Sequence, residues 1–183
     1  YDCGTGNFIW SGMQLGAGTV VLDWTYVWSK NSIRVIRGKR MEILKHTFEP
    51  IYNKNSRVLI LGSFPSVKSR ENNFYYGHPQ NRFWKVIAGV TGNPVPVSIE
   101  EKKELLLNNH IAIWDVIASC SIQGSSDSSI RDVVVNDFTK VLQESSIQTI
   151  YVNGNKAYEL YDKYAKPKTG IEAVKLPSTS PAN

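Results

Sequence analysis

Four short apolar segments, each ending in glycine or polar residues, constrain the fold of this chain most strongly. They span residues 58–61, 111–116, 149–152 and 173–176, and segments with helical periodicity lie between them. Short apolar runs of this kind are typical of parallel strands that are buried on both faces and joined by crossover helices. The alternation predicts an α/β fold, a three-layer α/β/α sandwich around a mostly parallel four-stranded central sheet.

The segments between these strands carry helix signals. Ser98 and Glu101 have the spacing of a capping box for a helix that ends near Asn109. In the helix predicted over 83–90, Phe83, Trp84, Ile87 and Val90 share one face. Further helices are predicted over 42–52, 130–144 and 156–164, and a polar loop over 121–129.

The first 40 residues differ from the rest of the chain. Residues 1–18 are rich in glycine, whereas 19–28 alternate with an aromatic face of Trp24, Tyr26 and Trp28. With a returning strand over 33–36, this pattern predicts a β-hairpin appendage in residues 1–40, before a domain over 41–183. The aromatic face suits either packing on a neighbouring domain or stacking on single-stranded bases.

Composition limits the cellular setting and the class of partner. The 183 residues contain two cysteines, too few for a disulfide framework, so we expect reduced thiols in the cytoplasm. Asp23 interrupts the longest apolar run, so no membrane-spanning segment is predicted. No signal peptide is predicted either. We expect a monomer. A net charge of +5 permits a polyanionic partner without requiring one.

The predicted strand ends define a candidate site, since ligands of open α/β sheets bind beyond the carboxyl ends of the strands. Those ends are GSFPS (62–66), Asp115, NGN (153–155) and LPSTSPAN (176–183), and an aromatic, amide-rich loop over 74–82 follows the first. There is no nucleotide-binding glycine motif, no GxSxG elbow, and no acidic or thiol ligand at metal spacing from His46, His78 or His110. Amides, aromatics and one or two carboxylates remain, and such side chains suit positioning a flat heterocycle and a water molecule.

Several of these segments carry a family resemblance. FYYGHPQNRFWKVI (74–87), GSFPS, NGNKAY (153–158) and LPSTSPAN resemble the uracil-DNA glycosylase superfamily, in particular its hypoxanthine (deoxyinosine) DNA glycosylase branch. The resemblance covers about residues 41–183. It implies monofunctional base excision repair of DNA containing deaminated bases, hypoxanthine first and uracil second, without metal or cofactor: the base is flipped out and its N-glycosidic bond is hydrolysed.

The resemblance also implies roles for individual residues around the base. Mismatch-type relatives have a water-positioning asparagine where this chain has Phe64, and the hypoxanthine branch uses instead the asparagine that is Asn81 here. Tyr76 matches the ring that stacks on the flipped base, and the amides of Ser63 and Phe64 are placed to bind a base carbonyl. Asp115 would accept a hydrogen bond from N1–H of hypoxanthine or N3–H of uracil.

A second group of residues is implied in DNA binding. The LPSTSPAN motif would touch phosphate and fill the gap in the base stack, and the amides that begin the helix after NGN would bind another phosphate. The residues predicted to contact DNA are Ser66, Gly154, Asn155, Lys156, Ser178, Ser180, Pro181 and Ala182.

Each role has a structural alternative. Asn81 is also suited to capping the following helix, Tyr76 to packing in the core, and Asp115 to a structural pairing at a strand end. For function, the alternatives are a damaged-DNA or single-strand binding module with little turnover, and a hydrolase of a small nucleoside.

Two departures from the family pattern bear on activity. The chain ends at Asn183, inside the second motif, where relatives continue into another helix, so we expect a truncated domain. That motif also lacks the histidine with which fast uracil enzymes stabilise the departing base. Its absence predicts slow catalysis and permits a purine preference.

Overall fold

The computed structural model describes residues 24–29, 32–37, 42–122 and 130–181. The chain divides into two compact units between Glu42 and Ile43. In the first unit, strands β1 (Trp24–Ser29) and β2 (Ser32–Arg37) pair antiparallel, with Trp24 opposite Arg37 and Ser29 opposite Ser32. The predicted N-terminal hairpin is therefore confirmed, although residues 19–23 of its first predicted strand lie outside the described residues.

The second unit is built on a four-stranded sheet. Its strands are β4 (Val58–Gly62), β5 (Ile111–Asp115), β8 (Thr149–Asn153) and β9 (Ala173–Leu176), in the order β5-β4-β8-β9. All three neighbouring pairs are parallel. This sheet and its flanking helices confirm the predicted α/β sandwich and the four apolar strands.

Both faces of this sheet are buried, as its nearly continuous apolar sequence requires. Successive side chains of β4 point to opposite faces, so Leu59 and Leu61 pack in one core cluster and Ile60 in the other. Leu59 and Leu61 are fully buried, as are Ile150 and Val152 of the neighbouring strand β8. The two cores fix the register of the strands and therefore the positions of the residues that follow them.

Three of the five predicted helices are present in the structure. The helices are α1 (Val67–Glu71), α2 (Phe83–Thr91), α3 (Ile99–Asn108), α4 (Thr139–Gln143), α5 (Asn155–Leu160), a π-helical turn (Tyr161–Ala165) and α6 (Lys166–Thr169). The capping box of Ser98 and Glu101 starts α3 as predicted. Phe83, Trp84 and Ile87 of α2 are buried, but Val90 is 81% exposed and does not share their packing. No helix in the described ranges combines the length and apolar character that crossing a membrane requires.

The predicted helix over 42–52 is wrong. Residues Glu42–Lys45 form strand β3, and Ile51 pairs with Ile113 through a single bridge. From Ile43 to Pro50 the side chains alternate strictly between exposed and half-buried, with Leu44, His46 and Phe48 facing inward. That period of two is the strand period, and Pro50 supplies no amide for a helix.

The predicted helix over 130–144 is also wrong over most of its length. Arg131–Val135 form strand β7, which pairs antiparallel with β6 (Ile117–Ile122), and only Thr139–Gln143 are helical. Three consecutive valines, 133–135, favour a strand because their branched side chains restrict χ1 in a helix. Strands β3, β6 and β7 form a second sheet in that order, and β6 takes Ser121 and Ile122 from the predicted polar loop. The rest of that loop lies outside the described residues.

Candidate active site

A cavity of about 630 Å³ lies where the carboxyl ends of the parallel strands meet. Its lining comes from the segments that follow β4, β5, β8 and β9 and from the loop before α2. It brings together eleven of the predicted site residues: Ser63, Phe64, Ser66, Tyr76, Asn81, Asp115, Gly154, Asn155, Lys156, Ser178 and Ser180. Pro181 is exposed and does not line the cavity, and Ala182 lies outside the described residues.

The floor of the cavity depends on a glycine. Gly62 and Asp115 are register partners at the ends of β4 and β5. A Cβ atom on Gly62 would collide with Oδ1 of Asp115 and lie 3.3 Å from the hydroxyl of Tyr76. The absence of a side chain at position 62 therefore lets a carboxylate oxygen and a phenol hydroxyl occupy the same corner of the cavity.

Asp115 is held by a histidine that the sequence did not connect with it. His46 Nε2 lies 2.8 Å from Asp115 Oδ2, and the two side chains are 4% and 8% exposed. Asn136 Nδ2 donates to the backbone carbonyl of Asp115 at 2.8 Å. Because 69 residues separate His46 from Asp115 and β3 was predicted as helix, no local pattern could have revealed this pair.

Tyr76 has a conformation and an environment that set it apart. Its φ is +49°, in the left-handed region that non-glycine residues seldom adopt. One face of its ring stacks on Phe83, with centroids 3.8 Å apart and planes 14° apart. Stacking of Tyr76 on a flipped base therefore stays a prediction that concerns its other face.

The hydroxyl of Tyr76 is buried and has no completed hydrogen bond among the residues that the structure describes. Burial raises its pKa above the ordinary value, and the nearby Asp115 carboxylate raises that pKa further. The side chain of Asn153 approaches the hydroxyl and lowers its pKa by a smaller effect. The group is therefore a neutral phenol at the cavity, and its O–H is a hydrogen-bond donor.

Asn81 lines the cavity and also accepts a hydrogen bond at the start of α2. Its Oδ1 accepts a hydrogen bond of 2.9 Å from the amide of Phe83, the first residue of α2. Asn81 therefore supports the start of the helix from the position before its N-cap residue, Arg82, whose own side chain makes no capping bond. The side chain also lines the cavity, and its role in orienting water stays a prediction.

The loop after β9 is tied to the two neighbouring loops. Asn153 Nδ2 donates to Thr179 Oγ1 at 2.9 Å, and the Thr179 amide donates to Asn153 Oδ1 at 3.1 Å. The Arg82 amide donates to the Thr179 carbonyl at 3.0 Å. Gly154, at φ +97°, brings its backbone against Ser178, where a Cβ would lie 3.0 Å from the serine Cβ. Sequence reasoning missed the roles of Asn153, Arg82 and Thr179, although all three lie within the quoted motifs.

We expect Thr179→Val to loosen this loop. The substitution keeps the side-chain shape but removes the oxygen that accepts from Asn153, and a neutral hydrogen bond contributes about 1 kcal/mol. The loop should therefore open roughly 5- to 10-fold more often, from the same free energy. Hydrogen exchange of the Thr179 and Ser180 amides measures this opening.

Thr91→Val is the matched control for this change. The Thr91 hydroxyl donates to the carbonyl of Ile87 within α2 and does not line the cavity. If both variants raise the exchange of these amides equally, the tie between Asn153 and Thr179 has no specific role in holding the loop.

In chemical terms, the site offers a buried carboxylate, a neutral phenol, amide side chains and aromatic rings. Within the described residues, no three His, Cys, Asp or Glu side chains come together as metal ligands. The cationic side chains at the cavity are Arg70 and Lys156. Such an arrangement suits binding a flat polar heterocycle that is attached to a polyanion.

The comparisons with known proteins agree with this geometry. Residues 49–183 match the model of the uracil DNA glycosylase superfamily. A hypoxanthine DNA glycosylase of Methanosarcina acetivorans is 37% identical over 143 residues, which cover 77% of this chain and 89% of that protein. A protein of the same name from Methanosarcina barkeri is 32% identical over 142 residues, 76% of this chain and 88% of the relative.

A solved structure is similar along the same part of the chain. It is the solution NMR structure of a Methanosarcina acetivorans protein provisionally assigned as a uracil DNA glycosylase. It superposes with a TM-score of 0.67 and 37% identity, covering 78% of this chain and 88% of that one. With a family match over residues 49–183 and relatives above 30% identity, this chain belongs to the uracil DNA glycosylase superfamily.

Proposed function

We propose that this chain is a DNA glycosylase that removes hypoxanthine from DNA, with the activity carried by residues 41–183. DNA glycosylase activity is the function of the family and of the two named relatives. The observation that supports hypoxanthine as the base is the buried carboxylate of Asp115 beside the neutral hydroxyl of Tyr76, at the floor of the cavity. An acceptor next to a donor complements the lactam edge of a deaminated purine.

The cavity has the size and position for an extruded base. An enzyme cannot reach the N-glycosidic bond of a purine within a stacked duplex. The nucleotide must therefore rotate out of the helix into a pocket. A volume of about 630 Å³ is ample for one base and part of its sugar. Ser63 and Phe64 line the wall and are placed, in our proposal, to contact the base through their backbone.

We assign the orientation of the attacking water to Asn81. The water oxygen bonds to C1′ as the bond from C1′ to N9 breaks, and the bonding electron pair leaves with the base. One water proton is released and hypoxanthine departs after gaining a proton. Asn81 lines the cavity close to the loop that follows β4, and a second lone pair of its Oδ1 remains for water beside the bond to Phe83. Fixing the water in place lowers the entropic cost of attack.

The rim of the cavity suits the DNA backbone. Arg70 and Lys156 bring positive charge, and we place phosphate contacts at Ser66, Ser178 and Ser180 and at the amides of Gly154 and Asn155. In the same proposal, Pro181 and Ala182 fill the gap that the flipped base leaves. We further propose that the enzyme acts as a monomer in the reducing cytoplasm, where the buried thiol of Cys120 stays reduced.

Single-turnover release from labelled duplexes tests this function. One duplex carries a single deoxyinosine, a second carries deoxyuridine, and a third has only normal bases. We expect release of hypoxanthine and an alkali-sensitive abasic site in the first duplex, slower release of uracil in the second, and none in the third. Binding to the deoxyinosine duplex without release would contradict the proposal and favour a damaged-DNA binding module.

A further inference from the structure

We propose that His46 is a positioning residue: it fixes the Asp115 carboxylate as a hydrogen-bond acceptor and thereby makes the cavity select lactam bases over adenine. The inference rests on the proposed function, because it concerns the base that the same cavity takes. It adds a residue that lies before the segment matched by the family model, which begins at residue 49.

The imidazole of His46 is held rigidly. Its ring meets Phe48 edge-on with centroids 4.5 Å apart, and Tyr75 and Phe64 lie at 6.2 and 6.3 Å. The backbone amide of His46 donates to the carbonyl of Ala118 at 2.7 Å, which anchors the end of β3 to β6. A ring enclosed in this way has one polar partner in reach at Nε2, the carboxylate 2.8 Å away.

This contact divides the two oxygens of Asp115 between two tasks. Oδ2 accepts from His46, whereas Oδ1 lies in the corner with Gly62 and the Tyr76 hydroxyl. Because the imidazole occupies Oδ2, Oδ1 is the carboxylate oxygen left to accept a hydrogen bond from a base in the cavity. Burial raises the pKa of both Tyr75 and Tyr76, and the nearby Asp115 carboxylate raises each further, so both phenols are neutral.

An acceptor fixed at this position separates two purines of nearly equal shape. Hypoxanthine presents N1–H as a donor and O6 as an acceptor, which match Oδ1 of Asp115 and the hydroxyl of Tyr76. Adenine presents a lone pair at N1 and an amino group at C6, so its N1 would face Oδ1 lone pair to lone pair. Sites built around a ligand's hydrogen bond discriminate strongly, because the wrong ligand leaves a buried polar group unpaired.

Two substitutions separate the hydrogen bond that His46 donates from the packing of its ring. His46→Gln keeps an N–H donor near the place of Nε2, whereas His46→Phe keeps a ring between Phe48 and Tyr75 but removes the donor. Each protein is titrated with duplexes that carry a single 2′-fluoroarabino inosine or a single 2′-fluoroarabino adenosine, which resist cleavage. The ratio of the two dissociation constants measures the selectivity for the lactam, and thermal melting checks the fold of each variant.

We expect the wild type and His46→Gln to prefer the inosine duplex. In His46→Phe we expect the ratio to fall about 10-fold or more, the equivalent of one hydrogen bond to a charged group. An unchanged ratio in His46→Phe, or an equal fall in both variants, overturns the inference.

Asp115→Asn is the variant that tests the inference if His46→Phe fails to fold. His46 then holds the amide oxygen and turns the amide nitrogen to the base, so the preference should move towards adenosine, and a retained inosine preference refutes the inference.

These measurements also separate the inference from the proposed function. Affinities for uncleavable duplexes do not depend on turnover. A wild type that prefers inosine but releases no hypoxanthine from a cleavable duplex would contradict the glycosylase and leave the role of His46 intact. A wild type that releases hypoxanthine but shows no preference between the two duplexes would overturn the role of His46 alone.

Discussion

We expect Asn81→Ala to lower the single-turnover rate of hypoxanthine release by roughly 100- to 1000-fold, the effect of losing one group that orients or stabilises the reacting atoms. Affinity for the damaged duplex should change little, because Asp115, Tyr76 and the residues that we propose to contact phosphate are unchanged. The same substitution removes the acceptor for the amide of Phe83 and should cost about 1 kcal/mol of unfolding free energy. Rapid-quench kinetics and urea unfolding measure the two effects separately.

Asn81→Ser distinguishes catalysis from capping. Serine also accepts from an amide two residues ahead and so restores most of the stability, but its shorter side chain does not reach a water that asparagine orients. We expect the unfolding free energy to recover while the rate stays low. A serine variant with a near wild-type rate would mean that Asn81 acts only as the start of α2.

The second large effect is expected from Gly62→Ala. The added methyl group meets Asp115 Oδ1 and the Tyr76 hydroxyl, both fixed by buried neighbours, so one of these side chains must move out of the cavity corner. Overpacking of this kind costs about 1–3 kcal/mol of stability. Displacing the base by about 1 Å should lower the rate of hypoxanthine release roughly 100-fold. The release assay and urea unfolding check both numbers.

Gly89→Ala is the control for this substitution. Gly89 lies in α2 and is exposed, and a methyl group on its Cα would meet no neighbouring atom within 4 Å. Alanine there should leave the rate unchanged and raise stability by up to about 1 kcal/mol, the difference in helix propensity. If Gly62→Ala releases hypoxanthine as fast as Gly89→Ala does, the corner formed with Asp115 is not the base-reading site.

Much of the site was predictable because the carboxyl ends of parallel strands lie side by side at the same edge of a sheet. The apolar runs ending at Gly62 and Asp115 identified β4 and β5, and their register then placed both residues at the cavity. Motif residues such as Asn155 and Ser178 also follow strand ends and line the same cavity. Short apolar runs were sufficient to identify these elements, since each strand is buried on both faces.

The second sheet could not be predicted from the same pattern. Over residues 43–51 the apolar positions fit a helix nearly as well as a strand, and only pairing with β6 decides between them. Residues 130–144 were predicted as one amphipathic helix, but in the structure they divide into strand β7 and the short helix α4. The pairing of His46 with Asp115 depends on both sheets and was therefore beyond local sequence reasoning.

Strand β3 has a consequence for how the domain is delimited. The family match begins at residue 49, yet the buried partner of Asp115 is His46, three positions earlier. A protein shortened to the matched segment would retain every motif and lose the imidazole, leaving an ionisable group in the interior without its donor. The unit that contains the site therefore includes residues before position 49, where the family model begins, and among them a strand that local sequence patterns do not reveal.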